Sequence, residues 1–374
     1  MKMINNTPVL SSGERSRPLS VLIPIIVIYG FLIMITVVGN LFVIISYAQD
    51  RKLRQRPANL IILNLAIADF IVGSVSLPVN LTGIVSGRWL FGQFVCRLYC
   101  IVDYVAVYMS VVIIVFISID RYLIVAKPIK HRSLVTRKRV RYAVIPAWII
   151  YFIWCSLTSF GWTTFGERNE TDDYLHECEM EFTVNPIITL IHCLIGFFIP
   201  FSSIVFLNVL IFINVKRQFD KFPVVAFNRS SDENNGTNTL PIKRENYGND
   251  SCELKPSSSK GTTMNINTVS KEADLNATPI NTKFDQFTNA RLQKNKIIAK
   301  KLAIVVLVFG ICCLPYEICI ALNSFCKEKC ISDLVLEITE NIQWANSGIN
   351  PILYAFTDIQ FRHNFVRLIR CRSK

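Results

Sequence analysis

Hydrophobic runs of membrane length alternate with polar stretches along this chain. The runs cover residues 21–48, 58–83, 93–126, 142–162, 186–215, 297–324 and 332–356, give or take a few at each end. Each is long enough, at 1.5 Å per helical residue, to cross a hydrocarbon layer roughly 30 Å thick. The predicted fold is an all-α membrane protein, a seven-transmembrane helix bundle. Residues 358–374 follow, with Ile359, Phe361, Phe365 and Leu368 at helical spacing among basic residues. That is the pattern of a short amphipathic helix lying on membrane lipids. The organisation reads as a polar N-terminus (1–20), five spans (21–215), a long loop (216–296), two spans (297–357) and the tail helix (358–374). The middle of the loop is rich in Asn, Ser, Thr and Lys and poor in aromatic residues, which predicts disorder.

The third run departs from plain apolarity. It carries a carboxylate, Asp103, and ends on Asp120-Arg121-Tyr122. A charge inside a bilayer costs about 2.5–3.5 kcal/mol even on lenient scales, so Asp103 points to function. Asp103 and Arg121 are 18 positions apart, about five turns, and therefore share a face. Cys96 and Ser110 lie about two turns to either side of Asp103 on nearly that face. The Asp103–Arg121 span of about 27 Å places a carboxylate near one membrane surface and an arginine at the other.

Charge sets the orientation. The net +13 suggests nucleic acid at first sight, but the basic residues fall in loops on one side. Arg51 to Arg56 and Lys127 to Arg141 are basic, as is the C-terminal end, while the segment around Cys178 is acidic. The positive-inside rule then puts the N-terminus outside, and a multi-pass protein of the plasma membrane is expected, with no nucleic acid as partner. Asn5 and Asn169 head glycosylation tripeptides on the outer face, although the tripeptide also recurs in the long loop. Cys96, Cys178, Cys326 and Cys330 lie near outer helix ends and are the candidates for bridging. Cys371, beside the tail helix, is a palmitoylation candidate. No HExxH or paired CxxC pattern occurs, so no metal centre is expected. No nucleophile–base pair is apparent either, and no enzymatic activity is expected.

Polar side chains also gather where lipid disfavours them. Asp69 and Ser110, with Asn346, Ser347 and Asn350 of the last run, offer oxygens for a hydrated cation near mid-membrane, a sodium ion acting as allosteric ligand. Hydrogen bonding between helices accounts for the same residues.

Taken together, the motifs carry a resemblance. Gly39-Asn40, Leu65 with Asp69, Asp120-Arg121-Tyr122, Trp148, Pro200, Phe309 with Cys312 and Pro315, and Asn350-Pro351-Ile352-Leu353-Tyr354 fall one to a run, in order. The chain thereby resembles the rhodopsin-like class of G-protein-coupled receptors, apart from the first 20 residues and the long loop. The resemblance implies a disulfide from Cys96 to Cys178 and a heterotrimeric G protein meeting Arg121. Arrestin and a receptor kinase are implied as further partners. The implied switch residues are Asp120, Arg121, Tyr122, Phe309, Cys313, Pro315, Asn350, Pro351 and Tyr354.

In that class, an aspartate at the place of Asp103 marks receptors for biogenic amines, whose ammonium it pairs. The ligand set expected here is Asp103, Tyr104, Val107, His192, Gly196, Tyr316, Glu317, Glu340 and Trp344, with Tyr104, Tyr316 and Trp344 as an aromatic cage. Several details are most similar to histamine receptors of the third and fourth subtypes: Asp103-Tyr104, Gly87-Arg88-Trp89, Asn208, Glu337, Trp344-Ala345-Asn346-Ser347 and the Cys326 to Cys330 loop. That loop suggests a second, local disulfide. Muscarinic receptors share the Asp-Tyr pair and Tyr316, and a receptor for another amine or a basic peptide stays open.

Three departures stand out. Cys313 replaces a tryptophan usual in the class, Gly196 replaces a glutamate of those histamine subtypes, and Asn295 stands where many relatives carry an acid that locks Arg121. The last predicts signalling without agonist. A retinal receptor needs a helix 7 lysine, and the chain has Trp344 there. A transporter needs repeated halves or broken half-helices, and neither is visible.

Overall fold

The computed structural model describes residues 17–160, 178, 185–221, 280–326, 330–357 and 359–370. Asn5, Asn169, the acidic stretch before Cys178, most of the long loop and Cys371 lie outside the described residues, as does the side chain of Tyr354. No strand occurs among the described residues. Seven long helices follow in order: α1 (Leu19–Gln49), α2 (Pro57–Ser86), α3 (Gly92–Ala126), α4 (Arg137–Phe160), α5 (Pro186–Asp220), α6 (Ile280–Phe325) and α7 (Asp333–Thr357). A shorter α8 (Ile359–Ile369) follows α7, and two short helices, Arg51–Gln55 and Pro128–Leu134, lie between spans. Phe222–Arg291 forms a unit of its own, described only from Ile280 onward, where it is helical.

Helices α1 to α6 are long and apolar enough to cross a membrane by length and composition. Helix α7 has the length but carries Asp333, Glu337, Glu340, Gln343, Asn346, Ser347 and Asn350. Its polarity is one-sided, since Gln343, Asn346, Ser347 and Asn350 are buried while Leu334, Ile338, Ile342 and Ile352 face outward. Helix α6 shows the complementary pattern, with Ile304, Leu307, Ile311, Ile318 and Leu322 exposed along one helical stripe. Apolar residues on the rim and polar ones inside are what a bundle solvated by lipid requires. Helix α3 runs through the middle: Tyr108, Met109, Ile113 and Ile114 are fully buried in a cluster with residues of α2, α4, α5 and α6.

Proline interrupts most of the spans, and α2, α5 and α7 show how the break is accommodated. A proline lacks the N–H that would bond a carbonyl one turn back. In α2 and α5, a π-turn (Val72–Ser76 and Leu194–Phe198) comes just before Pro78 and Pro200. The i−5 pairing of that turn leaves the Ile195 carbonyl free, and the Tyr151 hydroxyl of α4 donates to it at 3.2 Å. In α7, Pro351 leaves the carbonyl of Ser347 open, and Asn40 of α1 donates its Nδ2 to it at 3.1 Å. The helices can approach this closely because Gly39 sits against Pro351, where a Cβ would lie 2.9 Å from the proline ring. Gly39-Asn40 and Asn350-Pro351 are thus two halves of one joint.

Both ends of the bundle are fastened. Cys96 at the start of α3 is disulfide-bonded to Cys178, and Cys326 to Cys330 between α6 and α7. Arg17 pairs with Glu337 of α7 through both guanidinium nitrogens, and this partner raises the arginine above its ordinary pKa. At the other end, Phe361 of α8 is buried with Val43, Leu53 and Ile62, and Asn364 donates to Asp50 at 3.0 Å.

Candidate functional site

Helix α3 presents Asp103 to the interior, only 8% exposed. Its carboxylate accepts a hydrogen bond from the indole Nε1 of Trp344 on α7 at 3.0 Å. No Lys, Arg or His among the described residues forms an ion pair with it. Tyr104, the next residue, is a hydrogen-bond partner of Tyr316 on α6 and packs edge-on to Tyr108. Val107, one turn on, lies in the cluster around Trp344 and Ala106. Of the expected cage residues, Trp344 donates to the buried anion, while Tyr104 and Tyr316 are partners of each other.

A second buried acid, on α6, draws on the same stretch of α7. Glu317 of α6 is 4% exposed and accepts from Gln343 Nε2 at 3.2 Å. The Cys193 thiol of α5 is its other partner. Gln343 and Trp344 are consecutive on α7, so one dipeptide gives a neutral donor to each of the two acids. Glu340, one turn earlier, is half-buried.

His192 and Gly196 take places their sequence does not announce. His192 is fully enclosed, with Nδ1 3.1 Å from the Tyr108 hydroxyl and Nε2 3.0 Å from that of Thr158 on α4. The Trp154 ring lies tilted beside it, with centroids 5.1 Å apart. Gly196 lies in the α5 π-turn, and a Cβ there would fall 2.2 Å from the Tyr108 ring. Tyr108 thus fills the space a side chain at Gly196 would need. Tyr108, Thr158 and Gln343 were not singled out from sequence. A large ring five residues after Asp103 opposite a glycine, and an amide next to Trp344, were the only signals for them.

Deeper in the bundle, Asp69 of α2 is completely buried. It accepts from Ser110 Oγ at 3.2 Å and from Asn350 Nδ2 at 2.8 Å. Asn346 and Ser347 are buried on the same helix as Asn350. The donor set is all carboxylate, hydroxyl and amide, and hard cations take such oxygens. The residues fit a small cation in kind. The bonds they already make among themselves also satisfy them without one.

At the far end of α3, Asp120 is buried and has two partners, His131 Nε2 at 2.8 Å and Arg121 Nε at 3.8 Å. Asn295 of α6 donates to Gln218 of α5 at 3.0 Å, and Gln218 donates to the Val125 carbonyl of α3 at 3.0 Å. Three helix ends are therefore tied by neutral amides. Between the two ends, Phe309 of α6 stacks on Phe197, the neighbour of Gly196, at 6.0 Å. Cys313 is buried in the same core, so an aromatic contact reaches Phe309 from α5 rather than from the Cys313 position. The sulfurs of Cys96, Cys100 and Cys178 are close enough for a metal, but two of them are consumed in the disulfide.

Comparison with known proteins follows from this geometry. Residues 39–354 match the family described as 7 transmembrane receptor (rhodopsin family). The alpha-1A adrenergic receptors of Rattus norvegicus and Bos taurus are each 28% identical over 344 residues, 92% of this chain and 67% of the relative. The octopamine receptor beta-2R of Drosophila melanogaster is 28% identical over 341 residues, 91% of this chain and 60% of the relative.

Proposed function

This chain belongs to the rhodopsin family of seven-transmembrane receptors, and from that premise we propose that its ligand is a biogenic amine whose ammonium pairs with Asp103. One observation carries the reading: Asp103 is buried with neutral partners, the Trp344 indole and the Ser76 side chain. A buried carboxylate lacking a cation is costly, and a protonated amine supplies the missing charge in a site walled by Tyr104, Tyr316 and Trp344. Relatives named for adrenergic and octopamine ligands support an amine as the class. Like its relatives, the chain is a receptor and not an enzyme.

Within the class, the sequence details around Asp103-Tyr104 and Trp344 favour a histamine-like amine, with a muscarinic-type ligand as the alternative. We place the N-terminus outside the plasma membrane, the Arg121 end toward a heterotrimeric G protein of the inhibitory class, and Asp69 with Ser110 and Asn350 around a sodium ion. Glycosylation at Asn5 and Asn169, palmitoylation at Cys371, α8 on inner-leaflet lipids, and arrestin and receptor-kinase binding belong to the same proposal.

The test is a panel of amines and acetylcholine on expressed receptor, repeated with Asp103→Asn. Removing one partner of a buried charge pair costs about 3–5 kcal/mol, so potency should fall at least about a hundredfold. An amine equally potent on both forms rules out the contact.

A further inference from the structure

Glu317 is the feature that an amine paired with Asp103 leaves unexplained. It sits within the membrane-buried core, 4% exposed, on the helix facing α3. Its partners are the Gln343 amide and the Cys193 thiol, both neutral. No Lys, Arg or His among the described residues pairs with it. It lies within electrostatic range of Tyr104 and Tyr108, the residues that follow Asp103 into the bundle. The arrangement repeats that of Asp103 across one dipeptide, because Trp344 serves one acid and Gln343 the other.

Helix α5 contributes no opposing charge. His192 has both ring nitrogens engaged by Tyr108 and Thr158, and the place of Gly196 is filled by the Tyr108 ring. The polar end of a ligand that enters past Asp103 therefore meets α6, not α5. Asp103 and Glu317, each bonded by a neutral donor of the Gln343-Trp344 dipeptide, give the bundle interior two buried carboxylates.

We propose that the natural ligand carries two basic nitrogens, one paired with Asp103 and the other with Glu317: a diamine, or an amine with a second basic group. The proposal rests on the reading of Asp103 as the ammonium partner and adds the second pole. A dication neutralises both acids at once, whereas a monoamine leaves one acid buried without a cation.

The experiment measures ligand-induced thermal stabilisation of the purified full-length receptor. The probes are α,ω-diamines, alkylamines of equal chain length, and hydroxyalkylamines that exchange the second nitrogen for a hydroxyl. The best diamine should bind about tenfold or more tightly than its matched monoamine, in keeping with a charge-assisted hydrogen bond. Glu317→Gln, which keeps shape and hydrogen bonding, should erase that ratio by bringing diamine affinity down to that of the matched monoamine. Glu317→Asp should retain part of it. A ratio near one in the unmodified receptor, or one that survives Glu317→Gln, overturns the proposal. A hydroxyalkylamine that matches the diamine does so too, by showing that Glu317 serves as a neutral hydrogen-bonding group. Binding of every amine unchanged by Asp103→Asn is a separate failure, that of the ammonium contact itself.

Discussion

Asp103 and Asp120 stand on one helix, 17 residues apart and both buried, yet they keep different company. Asp120 has a guanidinium at 3.8 Å and an imidazole at 2.8 Å, both from its own chain. Asp103 has an indole N–H and the Ser76 side chain, both neutral. An acid whose counter-charge is built in serves to hold a conformation. An acid given only neutral donors waits for a charge from elsewhere. The same helix thus carries a lock at one end and a receptacle at the other, and Glu317 belongs to the receptacle.

Supplying the receptacle with an internal cation should have the largest effect. Trp344→Lys places an ammonium on the residue that now donates to Asp103, and amine binding should weaken by about a hundredfold or more in a competition assay. Retained affinity shows that Asp103 is not the anchor. Emptying the lock comes next. Asp120→Asn leaves Arg121 and His131 without their acid, and agonist-free G-protein activation should rise by about tenfold, a charge-assisted bond being worth about 1.5–3 kcal/mol. An unchanged basal rate makes the pairing merely structural. Between the ends, α3 is held by shape. Gly196→Ala forces a Cβ into the Tyr108 ring and should cost about 1–3 kcal/mol, read as a lowered Tm. In a Tyr108→Ala background the same Gly196→Ala substitution should cost much less, and an equal cost in both backgrounds refutes the clash. The smallest effect is expected at the amide relay. Asn295→Ala removes one neutral hydrogen bond, about 0.5–1.5 kcal/mol, so basal signalling should climb about two- to tenfold.

That last prediction replaces a simpler one. From sequence, Asn295 is a missing acid and therefore a missing lock. In the structure it is buried and donates to Gln218, which in turn donates to the Val125 carbonyl, so a different restraint occupies the place. An aspartate there has no donor for Gln218 and is a poor control.

What the sequence made legible was whatever lipid makes expensive. Asp69 and Asp103 stand out in apolar runs, and α7 declares its inward side by its polar residues. The Asp69–Asn350 bond and the Cys96–Cys178 link join residues that the motifs had already marked. Pairings between helices with no fixed separation were not legible. Tyr108 against Gly196, His192 between Tyr108 and Thr158, and Gln343 under Glu317 depend on how helices are rotated, which no local pattern encodes. The π-turns before Pro78 and Pro200 were equally hidden, and they set that rotation in α2 and α5.

The bond from Asn40 to the Ser347 carbonyl has a mechanical consequence. A proline break usually gives a helix a free elbow, since the orphaned carbonyl lets the two halves swing. Here α1 grips that carbonyl while Gly39 bears on the proline ring itself, so the elbow is splinted at both bones. Helices α1 and α7 then travel as a single strut, with α8 pinned to its foot through Asn364 and Asp50. A displacement of α6, whose Ile304, Leu307 and Ile311 are exposed along its rim, would leave that strut in place.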